Sequence, residues 1–190
     1  MQLQEAIEKR KSVRKYANKK PDWREIIECI DATRFAPMAG NIFSLKFILV
    51  DDEKNILEIS EACQQPFVSE AKILVVVCSD KTKTEIFFGE RSEIYLRQQA
   101  GAGIQNFLLS LTEKKLDTCW VGHFFEDKIK SILRIPENVQ VEAIFPIGIP
   151  SRVKGMQRTE KDKTLLENVL RFNDYKTKKM QGFENTLLGH

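Results

Sequence analysis

An α+β fold is what the 190-residue sequence predicts, on three observations. Helical apolar spacing opens the chain and returns in a long stretch at 94–114. Four strand-like apolar runs lie spread between the helical stretches, an order that suits an α+β domain. No internal repeat or low-complexity linker interrupts the chain, so one domain over 1–172 is expected, followed by a tail over 173–190.

The elements follow in order. Leu3, Ala6, Ile7 and Arg10 share one helical face, which predicts a first helix over about 2–10. Asp22 is placed to cap a second helix, with Glu25 completing a capping box. Trp23, Ile26, Ile27 and Ile30 give it an i, i+3, i+4, i+7 stripe. It should stop near Ala36, because the residue before Pro37 avoids the helical region. Lys46–Val50 reads as a strand and "EKNILEISEAC" as a short helix. Lys72–Cys78 is apolar throughout, the pattern of a strand buried on both faces. Ser79 to about Glu90 reads as a polar, mobile segment. Ile94–Lys114 is one long helix with Ile104, Phe107, Leu108 and Leu111 as its stripe. Asp117–Gly122 and Val141–Pro150 are strands flanking the helix "DKIKSILRI", which Pro136 closes. A short helix is expected around Leu165–Leu170.

The chain carries 30 basic and 27 acidic residues, a net charge of +3, and 42% apolar residues. This fits a folded globular protein. The balance argues against a nucleic-acid partner, which would need a concentrated basic patch. Cys29, Cys63, Cys78 and Cys119 are scattered, without a metal-binding spacing or a disulfide pattern, so a reducing cytoplasm is expected. The first residues lack the apolar core of a signal peptide. The longest apolar run, Ile73–Cys78, is far short of the ~20 residues that span a bilayer, so no membrane partner is expected. His123 and His190 are the only histidines. A histidine-based triad or metal site is therefore not expected, and His123 reads as an ordinary polar residue.

The stretch Glu8–Lys20, "EKRKSVRKYANKK", concentrates the basic residues. In an extended backbone Arg10, Ser12 and Arg14 project to one side. Two forked guanidinium donors and a hydroxyl suit phosphate oxygens. The same heptad reads equally as a solvated basic face. In "APMAGNIFSLKFILV" a helix end meets a small-residue turn bearing Asn41, which either bonds a planar heterocycle or caps its own backbone. "GAGIQN" lacks the GxGxxG spacing of a dinucleotide loop. Its glycines, each costing about 1 kcal/mol in a helix, imply close packing against another backbone or a flat ligand.

Taken in order, these stretches resemble the nitroreductase family of FMN-dependent oxidoreductases. Arg10, Ser12, Arg14 and Tyr16 match its opening Arg-x-Ser-x-Arg/Lys-x-Phe/Tyr pattern. Ala36, Pro37, Asn41 and Phe47 match the next motif. "QPFVSEAKILVVVC" is similar to its strand entry, with Gln65 in the glutamine position. "GAGIQNFLLSLTEKKLDTCWVGHF" and "PIGIP" resemble its long helix and last strand. The sequence departs from the pattern at Met38, at Phe43–Leu45 and at Gln99.

The resemblance implies an α/β/α sandwich around a mainly antiparallel sheet, in an intertwined homodimer with FMN at the interface. It implies that Arg10, Ser12 and, less distinctly, Lys11 hold the FMN phosphate, aided by Lys161 or Lys163. Arg14 would lie near the pyrimidine edge and stabilise the negative charge that reduction adds. Pro37, Met38, Ala39 and Asn41 would reach the flavin from the other subunit, Gln65 would contact the ring, and the backbone amides of Val121 and Gly122 would face N5. The implied activity takes hydride from NADH or NADPH and passes two electrons to a nitroaromatic, quinone or flavin-like acceptor by a ping-pong mechanism. FMN carries the chemistry, and no side chain need act as nucleophile or base. Reductive dehalogenases, enoate-type reductases and flavin-fragmenting enzymes share the scaffold, and a non-catalytic flavin carrier is the remaining alternative. The tail either wraps the partner subunit or is a free end.

Overall fold

A four-stranded antiparallel sheet, in the order β1-β2-β4-β3, forms the centre of the unit Met1–Met156. Its strands are β1 (Leu45–Val50), β2 (Ile73–Asp80), β3 (Asp117–Thr118) and β4 (Val139–Gly148). The computed structural model describes residues 1–151 and 164–178, and the chain divides into two compact units, Met1–Met156 and Gln157–His190.

The continuous apolar run of β2 is the reason for the sandwich. Ile73–Ser79 are all buried, and successive side chains leave opposite faces of a strand. Ile73, Val75 and Val77 enter one core with Ile26 and Cys29 of α2 (Trp23–Asp31) and Ile104, Phe107 and Leu111 of α5 (Ser92–Glu113). Leu74, Val76 and Cys78 enter the other with Ile56, Ile59 and Cys63 of α3 (Glu53–Cys63) and Ile129 of α6 (Glu126–Leu133). Each face of the sheet thus has its own helical layer.

The second helix ends as its sequence implies: α2 passes into a 3-10 turn, Ala32–Phe35, that closes at Ala36. Asp22 caps it by accepting from the Arg24 amide at 2.9 Å. Glu25 has no hydrogen bond back to Asp22 among those of the described residues, so the box is half formed.

Two expectations are corrected. The segment after Ser79 is ordered helix, α4 (Thr82–Phe88), followed by a 3-10 turn at Gly89–Arg91. Its polar residues are start signals: Asp80 accepts from the Thr82 amide at 3.0 Å and the Thr82 hydroxyl at 2.6 Å. Its apolar end is anchored by Phe88, edge-on to Tyr95 at 5.0 Å. The third strand is also shorter than expected. Thr118 pairs with Ile147, so Cys119 falls opposite Pro146, which has no N–H to continue a ladder. The Thr118 hydroxyl takes the Pro146 carbonyl instead (2.9 Å), and pairing resumes only at Val121 with Ile144.

Within "GAGIQN", Gly103 packs inside the chain: a Cβ there would sit 2.8 Å from Leu45 Cδ1 and 3.6 Å from Thr33 Cβ. Gly101 would meet nothing within 4 Å. In the second unit, described over 164–178, α7 (Leu166–Val169) is a single turn at the expected place. No helix among the described residues is long and apolar enough to cross a membrane.

Candidate functional site

The basic stretch leaves helix α1 (Leu3–Lys9) at Arg10 and runs extended along the β3 edge. The Val13 amide donates to the Thr118 carbonyl at 2.9 Å, and Ser12 bridges Thr118 in parallel. The Ala17 amide donates to the Ile149 carbonyl at 2.9 Å. Tyr16 clamps the segment between these ties. Its hydroxyl donates to the Val13 carbonyl at 2.7 Å, and its ring lies so close over Gly148 that only glycine fits beneath it. Burial pushes the Tyr16 phenol far up, so it stays a neutral anchor.

The charges of the stretch divide. Lys9, Lys15, Lys19 and Lys20 are exposed, and Lys9 and Lys20 pair with Glu5 and Asp51 at 2.5 and 2.9 Å. Among the described residues, Arg10, Lys11 and Arg14 form no ion pair with a carboxylate, and the Ser12 hydroxyl forms no hydrogen bond. Arg10 and Lys11 line a cleft of about 340 Å³ with Lys115, Asp117 and Thr118. Burial raises the Asp117 carboxyl above its ordinary value, and Lys11 partly opposes that shift. Arg14 is exposed, and its guanidinium stands 5.5 Å from the centroid of the Phe67 ring.

Gln65 joins the same neighbourhood. It stands just before the 3-10 turn Pro66–Glu70 that carries Phe67, and its side-chain amide donates to the His123 carbonyl at 3.4 Å rather than capping the turn. The preceding Gln64 closes α3 in the left-handed region (φ 53°), with its Oε1 3.4 Å from His123 Nε2. The two predicted backbone positions differ. The Val121 amide is already committed to the Ile144 carbonyl at 3.0 Å. The exposed Gly122 amide has no partner among the described residues, so it alone of the pair is open to a ligand.

Pro37, Met38, Ala39 and Asn41 stand elsewhere. They precede β1: Pro37 and Met38 lead into a 3-10 turn (Ala39–Asn41) whose Gly40 and Asn41 take φ of 57° and 56°. A Cβ on Gly40 would be 2.9 Å from Phe88, so the turn is seated on α4. The exposed Asn41 side chain makes no hydrogen bond among the described residues and does not cap its own backbone.

Strand register measures the separation. Leu45 lies opposite Ser79 and Ser79 opposite Gln140, whereas Ser12 lies opposite Thr118 and Thr118 opposite Ile147. From Gln140 to Ile147 along β4, and across the four strand spacings from Leu45 to Ser12, the distance is about 23 Å by about 19 Å, or roughly 30 Å. One chain therefore keeps the arginine group and the Asn41 turn at opposite corners of its sheet. Lys161 and Lys163 lie outside the described residues.

Sequence reasoning missed Phe67 and Asp117, and it read His123 as an ordinary polar residue, which here lies beside Gln64 and Gln65. The signal for Phe67 was present: it follows Gln65 by two residues in a turn opened by Pro66. Gln99 is buried, with 3% exposure, and neither of its side-chain amide atoms finds a partner among the described residues. The thiols of Cys29, Cys63 and Cys78 are pushed up by burial, to about 12, 11 and 12, which leaves them inert as nucleophiles at neutral pH.

An antiparallel sheet between two helical layers, with arginines that lack carboxylate partners among the described residues laid along one edge, defines an α+β sandwich. The comparisons with known proteins place it further. The model of the nitroreductase family matches residues 7–65 and 55–149, and the chain belongs to this family of oxidoreductases. A Methanothermobacter thermautotrophicus protein, provisionally named NADH dehydrogenase/NAD(P)H nitroreductase, is 28% identical over 162 residues, 82% of this chain and 81% of its own. A Clostridium difficile 630 nitroreductase family protein superposes with a TM-score of 0.79 at 25% identity, covering 92% of this chain and 99% of its own. The Vibrio harveyi NADPH:FMN oxidoreductase, solved with NAD+, shares the fold at a TM-score of 0.79 and 19% identity, over 91% of this chain and 77% of its own.

Proposed function

We propose that two copies of this chain pair to hold FMN at their interface. Each site would take electrons from NADH or NADPH and pass two to a nitroaromatic, quinone or flavin-like acceptor by a ping-pong mechanism. The observation that carries this reading is the strip of Arg10, Ser12 and Arg14, tied to the sheet edge and without a carboxylate partner. Unpaired guanidiniums held in place are what a phosphate and an electron-rich ring edge require. The roughly 30 Å between this strip and the Asn41 turn supports pairing, since one chain cannot close both around a single cofactor. Leu3, Ile7, Phe35, Ile86 and Phe87 are exposed large apolar side chains that a second copy would cover.

Bound FMN supplies the two-electron chemistry. The chain would position it: Arg10, Lys11 and Ser12 on the phosphate; Arg14 at the pyrimidine edge; Gln65 on the ring; the Gly122 amide toward N5. From the second copy come Pro37, Met38, Ala39 and Asn41, whose side-chain amide is free to bond the cofactor. Val121 contributes through the backbone course that presents Gly122. The names of the Vibrio harveyi oxidoreductase and of the Methanothermobacter relative support FMN and a nicotinamide donor. Four buried free thiols support a cytoplasmic setting.

Purified protein should be yellow and dimeric. Arg10→Ala should weaken FMN binding about tenfold or more, since a hydrogen bond to a charged group contributes about 1.5–3 kcal/mol. Failure of the native protein to bind added FMN would remove the reading. A Thermotoga neapolitana iodotyrosine deiodinase, 24% identical over 178 residues, gives reason to include halogenated phenols among the acceptors tested.

A further inference from the structure

The guanidinium of Arg14 has an unusual setting for a site cation. Its only partner among the described residues is the Phe67 ring, 5.5 Å from guanidinium carbon to ring centroid. Phe67 is itself held. It lies on the turn Pro66–Glu70, which Val68 pins with 0% exposure, the Ser69 hydroxyl closes onto the Pro66 carbonyl at 2.9 Å, and the second core supports from below. Gln65, which opens the same turn, is tied by its side-chain amide to the His123 carbonyl.

A carboxylate beside Arg14 would orient it and cancel its field. An aromatic face orients a guanidinium and leaves its charge whole, because the attraction is to the ring quadrupole. We infer that Phe67 is a positioning residue that fixes the Arg14 guanidinium as an uncompensated cation and thereby sets the reduction potential of the bound flavin. The inference rests on the proposed FMN site and adds to it a residue that acts through Arg14. Reduction adds electrons and negative charge at the ring edge, and a fixed cation favours that form. A guanidinium released into solvent spends its time hydrated and away from the edge, so its contribution falls.

The test is spectroelectrochemical titration of FMN bound to the full chain, with Phe67→Leu, Phe67→Tyr, Phe67→Glu and Arg14→Gln compared with the native protein. Phe67→Leu should shift the equilibrium about two- to fivefold toward oxidised flavin, the size expected for one exposed cation–π contact. For a two-electron couple that is about 10–20 mV more negative. Phe67→Tyr keeps a ring and should restore the native value, which a purely structural role for Phe67 does not require. Phe67→Glu should lower the potential further than Phe67→Leu by neutralising Arg14. Should Arg14→Gln shift the potential while Phe67→Leu does not, the inference is overturned and the site stands. An Arg14→Gln protein that binds FMN at the native potential instead removes Arg14 from the flavin edge, and the inference with it.

Discussion

Replacing Gly148 with alanine tests whether Tyr16 clamps the basic stretch to the sheet. A Cβ built at Gly148 lies 2.5, 2.6 and 2.7 Å from Tyr16 Cδ1, Cγ and Cβ. Carbon atoms rest at about 3.5–4.0 Å, so the ring must lift by roughly 1 Å. It has little freedom to do so, because its hydroxyl is bonded to Val13 and the neighbouring Ala17 amide to Ile149. Overpacking of this kind costs about 1–3 kcal/mol. For a chain of this size that lowers Tm by about 2–4 °C per kcal/mol. Arg10, Ser12 and Arg14 ride on the same segment, so Gly148→Ala should also weaken FMN retention. A double-mutant cycle with Tyr16→Ala sharpens the test. It removes two of the three colliding carbons, so the double variant should be less destabilised than the sum of the singles. Native-like stability for Gly148→Ala together with strict additivity would refute the clamp.

Two further predictions follow from the same geometry. In the long helix, Gly101→Ala should gain about 0.5–1 kcal/mol in chemical denaturation, because alanine is the better helix former and the site is open. Gly103→Ala should lose stability against Leu45 Cδ1, and a loss at Gly101 as well would place a second copy against that face. Asp117→Asn should stabilise the protein at pH 7 and make no difference in strong acid. Burial raises the folded carboxyl above its unfolded value, so the folded state binds that proton more tightly, and stability declines as rising pH removes it. Thermal melts of both proteins from pH 3 to 7 would show the difference growing with pH, and a constant offset would contradict the assignment.

Much of the fold was legible because its signals are local. The apolar run of β2 announced a strand buried on both faces, and the stripe of Ile104, Phe107, Leu108 and Leu111 announced the long helix. The residues of α4 were legible but were misread: Asp80 and Thr82 form a helix start, and a polar composition hid it. The early end of β3 was not legible, because it depends on which residue of β4 falls opposite Cys119, and register is a long-range property.

By itself the sequence determined which residues would be candidates: alternating Arg10, Ser12 and Arg14, a turn bearing Asn41, a glutamine before a strand. These follow from backbone periodicity and side-chain chemistry, which neighbours in the chain dictate. Only the tertiary structure decided how they divide. Sheet order put the arginine strip and the Asn41 turn at opposite corners, the β4 pairing consumed the Val121 amide, and the turn after α3 brought Phe67 over Arg14. Each of these depends on strand order, register and packing between segments distant in sequence, where no local pattern reaches.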